Sequence, residues 1–553
     1  MAISKKKENG SCADKNTQRI GLRTLTVSRE KDQWGEEFCF INNGVKIFAM
    51  GANYIPEDQI VTRCNEEKTR KLLADCKVAN YNFIRVWGGG YYPDEYFYDY
   101  CDENGIIVWQ DFMFACSAYL LTEEFEETVR GEVRDNVIRL RNHPSLGLWC
   151  GNNEIESAWE YWGLPEDEEA KRDYLIIFED IIPQVLKAYD PCENTFYWPS
   201  SPSSGGGFKD ASSNHAGDMH YWDVWHNFKP IEAFREFYYR FCSEYGFESL
   251  PDIKTCRAFA DETKGDFDLC SPVMEAHQKC VQGNEKIMYY LAQMVRYPYD
   301  FKQLIYSSQL VQADCIRSNV EHMRRARGRC MGSAYWQVND SNPVISWSSI
   351  DYFGRWKGLH YYAKRFYAPC LISCDDTHRK KPVLNISNER MTAFEGIVRW
   401  KLRNNKAEIL QSGEKSVNVP ALTAQNVLDI DLSQELVSRT DPREKYLEYS
   451  IMENGKVLSF GTTLFVRPKE FTFLEPAITY GISESEDKFA LTFCAENYAK
   501  SVCLSLKTAD CVFSDNWFDI HGKEPVTIMI DKSSLSRKMT AQELSGELEI
   551  MHN

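Results

Sequence analysis

Two glutamates, Glu154 and Glu244, each close a short apolar run, and between them they could divide a reaction. One carboxylic acid can protonate a leaving oxygen, while a second, ionised carboxylate attacks the carbon left behind. Arg85, at the end of another apolar run, could keep the attacking carboxylate ionised through a charge-assisted hydrogen bond. Other runs end in Asn53, Trp87, Asp111, Asn153, Tyr221 and Trp336. Paired carboxylates, ring faces and hydrogen-bonding groups are together the inventory that glycoside hydrolysis requires.

Each of these residues also has a plainer reading. A lone glutamate at a strand end is usually a solvated rim residue. Glu156, two positions past Glu154, reads as a helix-start charge satisfying free N–H groups. Trp109 and Trp149 lie within their runs and read as packing. Arg85 could form a structural ion pair, and Asp111 could cap a loop. His220 reads as a satisfied core histidine and is set aside.

Positioning these groups falls to strands predicted at Ile47–Asn53, Phe83–Trp87, Ile106–Asp111, Leu146–Asn152, Thr195–Pro199, Asp218–Trp222, Phe241–Glu244 and Ser333–Trp336. Helical periodicity separates them. Phe125, Val129, Val133, Val137 and Leu140 recur on one face and stop at His143-Pro144. A second helix opens at Pro93, carries Phe97 and Cys101, and ends at Gly105. Eight strands alternating with helices predict an α/β fold, a (β/α)8 TIM barrel over 46–370, whose chemistry sits at the C-terminal strand ends. A doubly wound sheet would compete, but no GxGxxG follows the first strand. After about residue 370 period-two alternation takes over, as in Val398–Leu402, Val502–Leu506 and Val526–Ile530. The Asn454-Gly455 pair marks a hairpin. Two all-β immunoglobulin-like sandwich domains are expected, at 371–468 and 469–553. Residues 1–20 read as disordered. Ile20 to Phe48, with Asn43-Gly44 as a type I′ turn, reads as strands, so 1–45 is taken as a disordered start and the remnant of a β-sandwich.

A formal net charge of -17 excludes the basic face that nucleic acid or an anionic membrane would require. The 19 cysteines are irregularly spaced within apolar runs, which suits reduced, buried thiols in a cytoplasmic setting. No CxxC pair occurs and the ten histidines do not cluster, so neither a metal centre nor another cofactor is expected. No apolar h-region follows the basic first residues, and no run is long enough to span a bilayer.

Several of these segments are familiar as a set. Arg141-Asn142-His143-Pro144-Ser145 leading to Gly151-Asn152-Asn153-Glu154 resembles the acid/base signature of glycoside hydrolase family two, and Ser243-Glu244-Tyr245-Gly246-Phe247 its nucleophile motif. Gly51–Pro56, Arg85–Gly90, Trp109–Met113 and Tyr335–Asp340 resemble the β-mannosidase branch. The resemblance runs from about residue 20 to the C-terminus. It implies a retaining exo-β-mannosidase without a cofactor, acting on β-mannoside oligosaccharides or N-glycan core fragments. By the same resemblance Glu154 is the acid/base and Glu244 the nucleophile, and Asn153 bonds the sugar 2-hydroxyl. Trp87, Trp162 and Trp336 form sugar-binding walls, Asp111 binds hydroxyls, and Tyr221 orients Glu244. Family members usually begin with a jelly roll and a complete sandwich, of which only a piece reads here. The rival readings are a sibling β-glycosidase of different sugar preference and a non-catalytic carbohydrate-binding remnant.

Overall fold

The computed structural model describes residues 2–6, 12–17, 19–163, 167–192 and 194–553. Eight parallel strands form one curled sheet: β1 (Ala49–Tyr54), β2 (Phe83–Val86), β3 (Ile107–Asp111), β4 (Leu146–Cys150), β5 (Tyr197–Trp198), β6 (Met219–His220), β7 (Cys242–Glu244) and β8 (Gly332–Tyr335). Their order is β5-β4-β3-β2-β1-β8-β7-β6. Every strand lies within its predicted range or extends one residue beyond it, as β1 does at Tyr54 and β8 at Gly332. Helices cover the outside, so the strands are buried on both faces and read as nearly continuous apolar runs. The helix Glu123–Leu140 starts where the Thr122 side chain accepts from Phe125 N, and it buries Val129, Val133, Val137 and Leu140. The helix Glu95–Asn104 stops at Gly105, whose φ of +67° suits the left-handed cap.

The ring of strands is closed by no ladder at its seam, only by an isolated antiparallel bridge in which Asp218 N donates to Ser203 O at 3.2 Å. β5 and β6 are two residues each and share no ladder. The buried Asp218 carboxylate joins them instead, accepting from Trp198 Nε1 at 2.8 Å, Ser203 N at 3.0 Å and Ser201 Oγ at 2.6 Å. Ser243, on β7, donates to the same carboxylate.

The expected sandwich remnant is something else. Leu25–Ser28, Cys39–Asn42 and Val45–Ile47 form an antiparallel meander. Asn43 and Gly44 turn it with φ of +50° and +81°, as a type I′ turn demands. This meander closes the N-terminal end of the barrel. Phe38 and Phe40 are fully buried, and their rings meet Phe83, Trp109, Trp198 and Phe241 at 4.8–6.1 Å between centroids. Apolar burial against the barrel floor, rather than pairing with a second sheet, holds the segment. Within the stretch predicted to be disordered, Ala2–Lys6 pairs antiparallel with Cys12–Thr17. Residues 1, 7–11 and 18 of that stretch lie outside the described residues.

Past Phe366 the chain builds two sandwiches. Strands from Cys370 to Leu464 enclose their own core of Ile372, Leu384, Val398 and Leu447. Strands from Thr479 to Met551 enclose a core that is continuous with the barrel, where Trp517 stacks on Tyr306 at 4.9 Å. Asn454 and Gly455, with φ of +51° and +76°, turn the predicted hairpin. Among the described residues no helix is long and apolar enough to cross a membrane.

Candidate active site

β4 ends at Cys150, and the chain then turns sharply so that Glu154 faces the C-terminal mouth of the barrel. Glu154 has φ of +62°, a left-handed conformation that costs a non-glycine residue on the order of 1–3 kcal/mol. Glu154 N donates to Ser201 O at 2.8 Å, and Glu154 O accepts from Ala158 N at 2.9 Å. These bonds hold the turn at the start of the helix Ile155–Tyr161.

Glu244 is the last residue of β7 and is buried. The two carboxylates meet at His220, the last residue of β6. His220 Nδ1 lies 2.8 Å from Glu154 Oε1 and 3.1 Å from Glu244 Oε2. One ligand atom from each of Glu154, His220 and Glu244 lies within 4.8 Å of the other two. His220 Nε2 faces Ser201 Oγ at 3.0 Å. Burial alone would push the imidazole down, but the two carboxylates outweigh it and raise it to about 9.

Arg85 lies beneath this pair. Nη1 donates to Asn53 Oδ1 at 3.0 Å and to Glu244 Oε1 at 3.2 Å, while Nη2 donates to Asp111 Oδ2 at 2.8 Å and to Asn153 Oδ1 at 2.7 Å. Burial would raise the Glu244 carboxyl; the charges of His220 and Arg85, with hydrogen bonds from His220 and Trp222, overcome it and hold Glu244 below its ordinary value. Trp222 Nε1 supplies that last bond at 3.1 Å. Accepting from Arg85 fixes the Asn153 amide so that its Nδ2 points towards Glu154 Oε2, at 3.4 Å.

Above the carboxylates opens a cavity of about 890 Å³, within the usual range for a small-molecule site. Trp87 and Trp336 stand together on its wall, 5.0 Å apart and edge-on at 72°. Trp162 also lines it and is half exposed at the rim. Asn153, Glu154, His220, Trp222 and Glu244 all contribute to the lining.

Three expectations need correction. Asp111 does not line the cavity: it is fully buried, and its oxygens are taken by Arg85, Gly88 N at 3.0 Å and Trp109 Nε1 at 2.9 Å. It anchors Arg85 rather than meeting a sugar. Tyr221 touches the cavity, but its hydroxyl is buried without a hydrogen-bond partner and its ring packs on Phe234, Phe237 and Tyr239. Orientation of Glu244 falls to His220, Trp222 and Arg85. Glu156 does not serve its own helix start; its Oε1 accepts from Phe208 N at 3.0 Å and holds the loop after β5. His220 and Trp222 are the residues the sequence reading missed. Strand parity was the available signal. Residues 220 and 222 share a face and residue 221 points away, so a choice of Tyr221 conflicts with any inward role for its neighbours. Histidines scattered along the chain also come together with carboxylates here, at Glu154–His220–Glu244 and at Asp99–Asp102–His143.

The family models that match lie in the C-terminal part of the chain. Residues 381–470 match the mannosidase Ig/CBM-like domain, and residues 473–553 match an Ig-fold domain. Beta-mannosidase B of Aspergillus terreus is 31% identical over 95% of this chain and 64% of its own length. A crystal structure of β-D-mannosidase from Dictyoglomus thermophilum superposes with a TM-score of 0.89 at 31% identity, over 99% of this chain and 65% of that one. The chain is thus similar in sequence and in fold to proteins named β-mannosidase. The Amycolatopsis orientalis exo-chitosanase CsxA shares the fold at a TM-score of 0.74 and 16% identity, over 100% of this chain and 68% of that one. This chain therefore spans slightly less than two thirds of the length of the two β-mannosidases.

Proposed function

We propose that the chain is a retaining exo-β-mannosidase, with Glu244 as nucleophile and Glu154 as acid/base. The observation that carries this reading is the convergence of both carboxylates on His220 Nδ1, with oxygens within 4.8 Å of each other. Retaining enzymes place their carboxyl groups about 5–5.5 Å apart, whereas inverting ones leave about 6.5–9.5 Å for a water. The short spacing leaves no room for that water.

In the first step Glu244, kept ionised by Arg85 and His220, attacks the anomeric carbon while Glu154 gives its proton to the departing oxygen. In the second, Glu154 takes a proton from water, which cleaves the glycosyl-enzyme with retained configuration. Asn153 Nδ2 would donate to the 2-hydroxyl beside the anomeric carbon. Trp87 and Trp336 would bound the terminal sugar, and Trp162 the leaving side. Preference for β-mannosides is supported by the likeness to proteins named β-mannosidase. The buried thiols, such as Cys76, Cys101 and Cys150, suit a reducing compartment.

Labelling with a 2-fluoro-mannosyl fluoride followed by peptide mapping tests the reading. The expected product carries the label on Glu244, and Glu244→Ala loses both the label and turnover, by about 10⁴-fold or more. Label on another residue, or a loss of only a few-fold, removes Glu244 from the nucleophile's role.

A further inference from the structure

Three glycines follow Trp87 at the end of β2, and they are small for different reasons. Gly90 N donates to Trp87 O at 3.3 Å, so residues 87–90 make a β-turn with Gly88 and Gly89 at its corners. Neither corner has a φ in the left-handed region, so the turn itself does not require glycine. Space does. A β-carbon on Gly88 would lie 2.7 Å from both Phe112 O and Phe114 O, and one on Gly90 would lie 2.8 Å from Pro56 Cδ. Gly88 N is also tied to Asp111 Oδ2 at 3.0 Å. Gly89 is the exposed one, and its nearest neighbours all belong to one side chain. A β-carbon there would fall on the outer edge of the Trp87 indole, at Cη2, Cζ2 and Cζ3. The indole therefore lies back over Gly89, and from that position it meets Trp336 at 5.0 Å and 72°.

We propose that Gly89 is a positioning residue for substrate binding: its bare α-carbon seats Trp87 against Trp336, and any side chain there tips the ring out of the cavity wall. The main chain around it is held from elsewhere, since Trp87 N donates to Tyr54 O at 3.2 Å and Gly88 is tied to Asp111. Relief of the overlap falls to the far end of the indole, which turns about its own side-chain bonds at little cost to the fold. The carboxylates are held by His220, Arg85 and Trp222, none of which lies on this turn, so the chemical step is spared. The effect on binding rests on the function proposed above, in which Trp87 and Trp336 bound the terminal sugar.

The test is a double-mutant cycle on the full chain, with Gly89→Ala, Trp87→Ala and the two together, read by hydrolysis of an aryl β-mannoside. Gly89→Ala should raise KM about ten-fold, with kcat within about three-fold of the parent and the melting temperature unchanged. In the Trp87→Ala background the same substitution should change nothing, because the ring it displaces is gone. A crystal structure of Gly89→Ala should show the Trp87 indole rotated away from Trp336. An unchanged KM overturns the inference, as does a KM that rises equally in both backgrounds, which would mean that Gly89 acts through the main chain. A large fall in melting temperature overturns it too, since the glycine would then be serving the turn, and so does a crystal structure with Trp87 unmoved. A parent chain that turns over no aryl β-glycoside would remove the proposed activity, while the crystal structure of Gly89→Ala would still decide whether Gly89 seats the ring.

Discussion

The two ends of the barrel are built from the same eight strands by opposite means. At the N-terminal end Phe38, Phe40, Phe83 and Phe241 exclude water by packing in an apolar cluster. At the C-terminal end Arg85, Asp111, Glu244 and His220 are as deeply buried, but every charge there has a partner within about 3.5 Å. Burial at the floor supplies stability. Burial at the mouth is a cost accepted so that charges stand in fixed positions with little water to screen them. The floor should therefore tolerate shape changes poorly and leave the chemistry alone, while the mouth should do the reverse.

The largest effect that would break this division is at the floor. Phe38→Ala removes a fully buried ring and should cost about 3–5 kcal/mol of stability, with KM and kcat of the folded fraction unchanged. Thermal unfolding and kinetics on the same sample check both halves, and a changed KM would show that floor and mouth are coupled. Next comes His220→Gln, for which we expect kcat/KM to fall about 10²-fold, equivalent to about 2.7 kcal/mol, with little change in melting temperature. Removing the imidazolium also removes part of what holds Glu244 below its ordinary value, so the acid limb of the kcat/KM profile should move to higher pH. A profile that only drops without shifting would deny His220 that electrostatic role.

The smallest expected effect sharpens the boundary. Glu156 is on the mouth side yet serves structure, and burial, only partly offset by bonds from Ser203 and Phe208, raises its carboxyl to about 7. A folded value above the unfolded one means that the folded state holds the proton more tightly. The stability this gives is full below about pH 4.5 and is lost as pH rises through 7. Glu156→Gln should therefore gain roughly 1–3 kcal/mol relative to the parent at pH 8 and little at pH 4.5. Melting curves at the two pH values decide it; an equal gain at both would mean that the charge of Glu156 is not what matters.

The sequence was most legible where burial on both faces forces a simple pattern. Short apolar runs between amphipathic helices announced all eight strands, and the residues that end them marked Glu154 and Glu244. Legibility failed where a side chain's partner comes from elsewhere in the chain. Asn43-Gly44 specified a turn, but nothing local says that the strands it joins plug a barrel rather than pair with a second sheet. His220 looks like any histidine among apolar residues until the fold brings Glu154 and Glu244 to its two sides. Asp111 was placed at the correct strand end, but its depth depends on Arg85, Gly88 and Trp109, whose convergence only the folded sheet creates.

The seam between β5 and β6 has a consequence for how the pocket can change. Because Asp218, and not a row of main-chain bonds, stitches those neighbours, the segment joining them can lengthen or shorten without unpicking the cylinder. That segment supplies Pro202, Ser212 and Asn214 to the cavity wall. Variation in what the pocket admits has its easiest route there, while the floor beneath stays as it is.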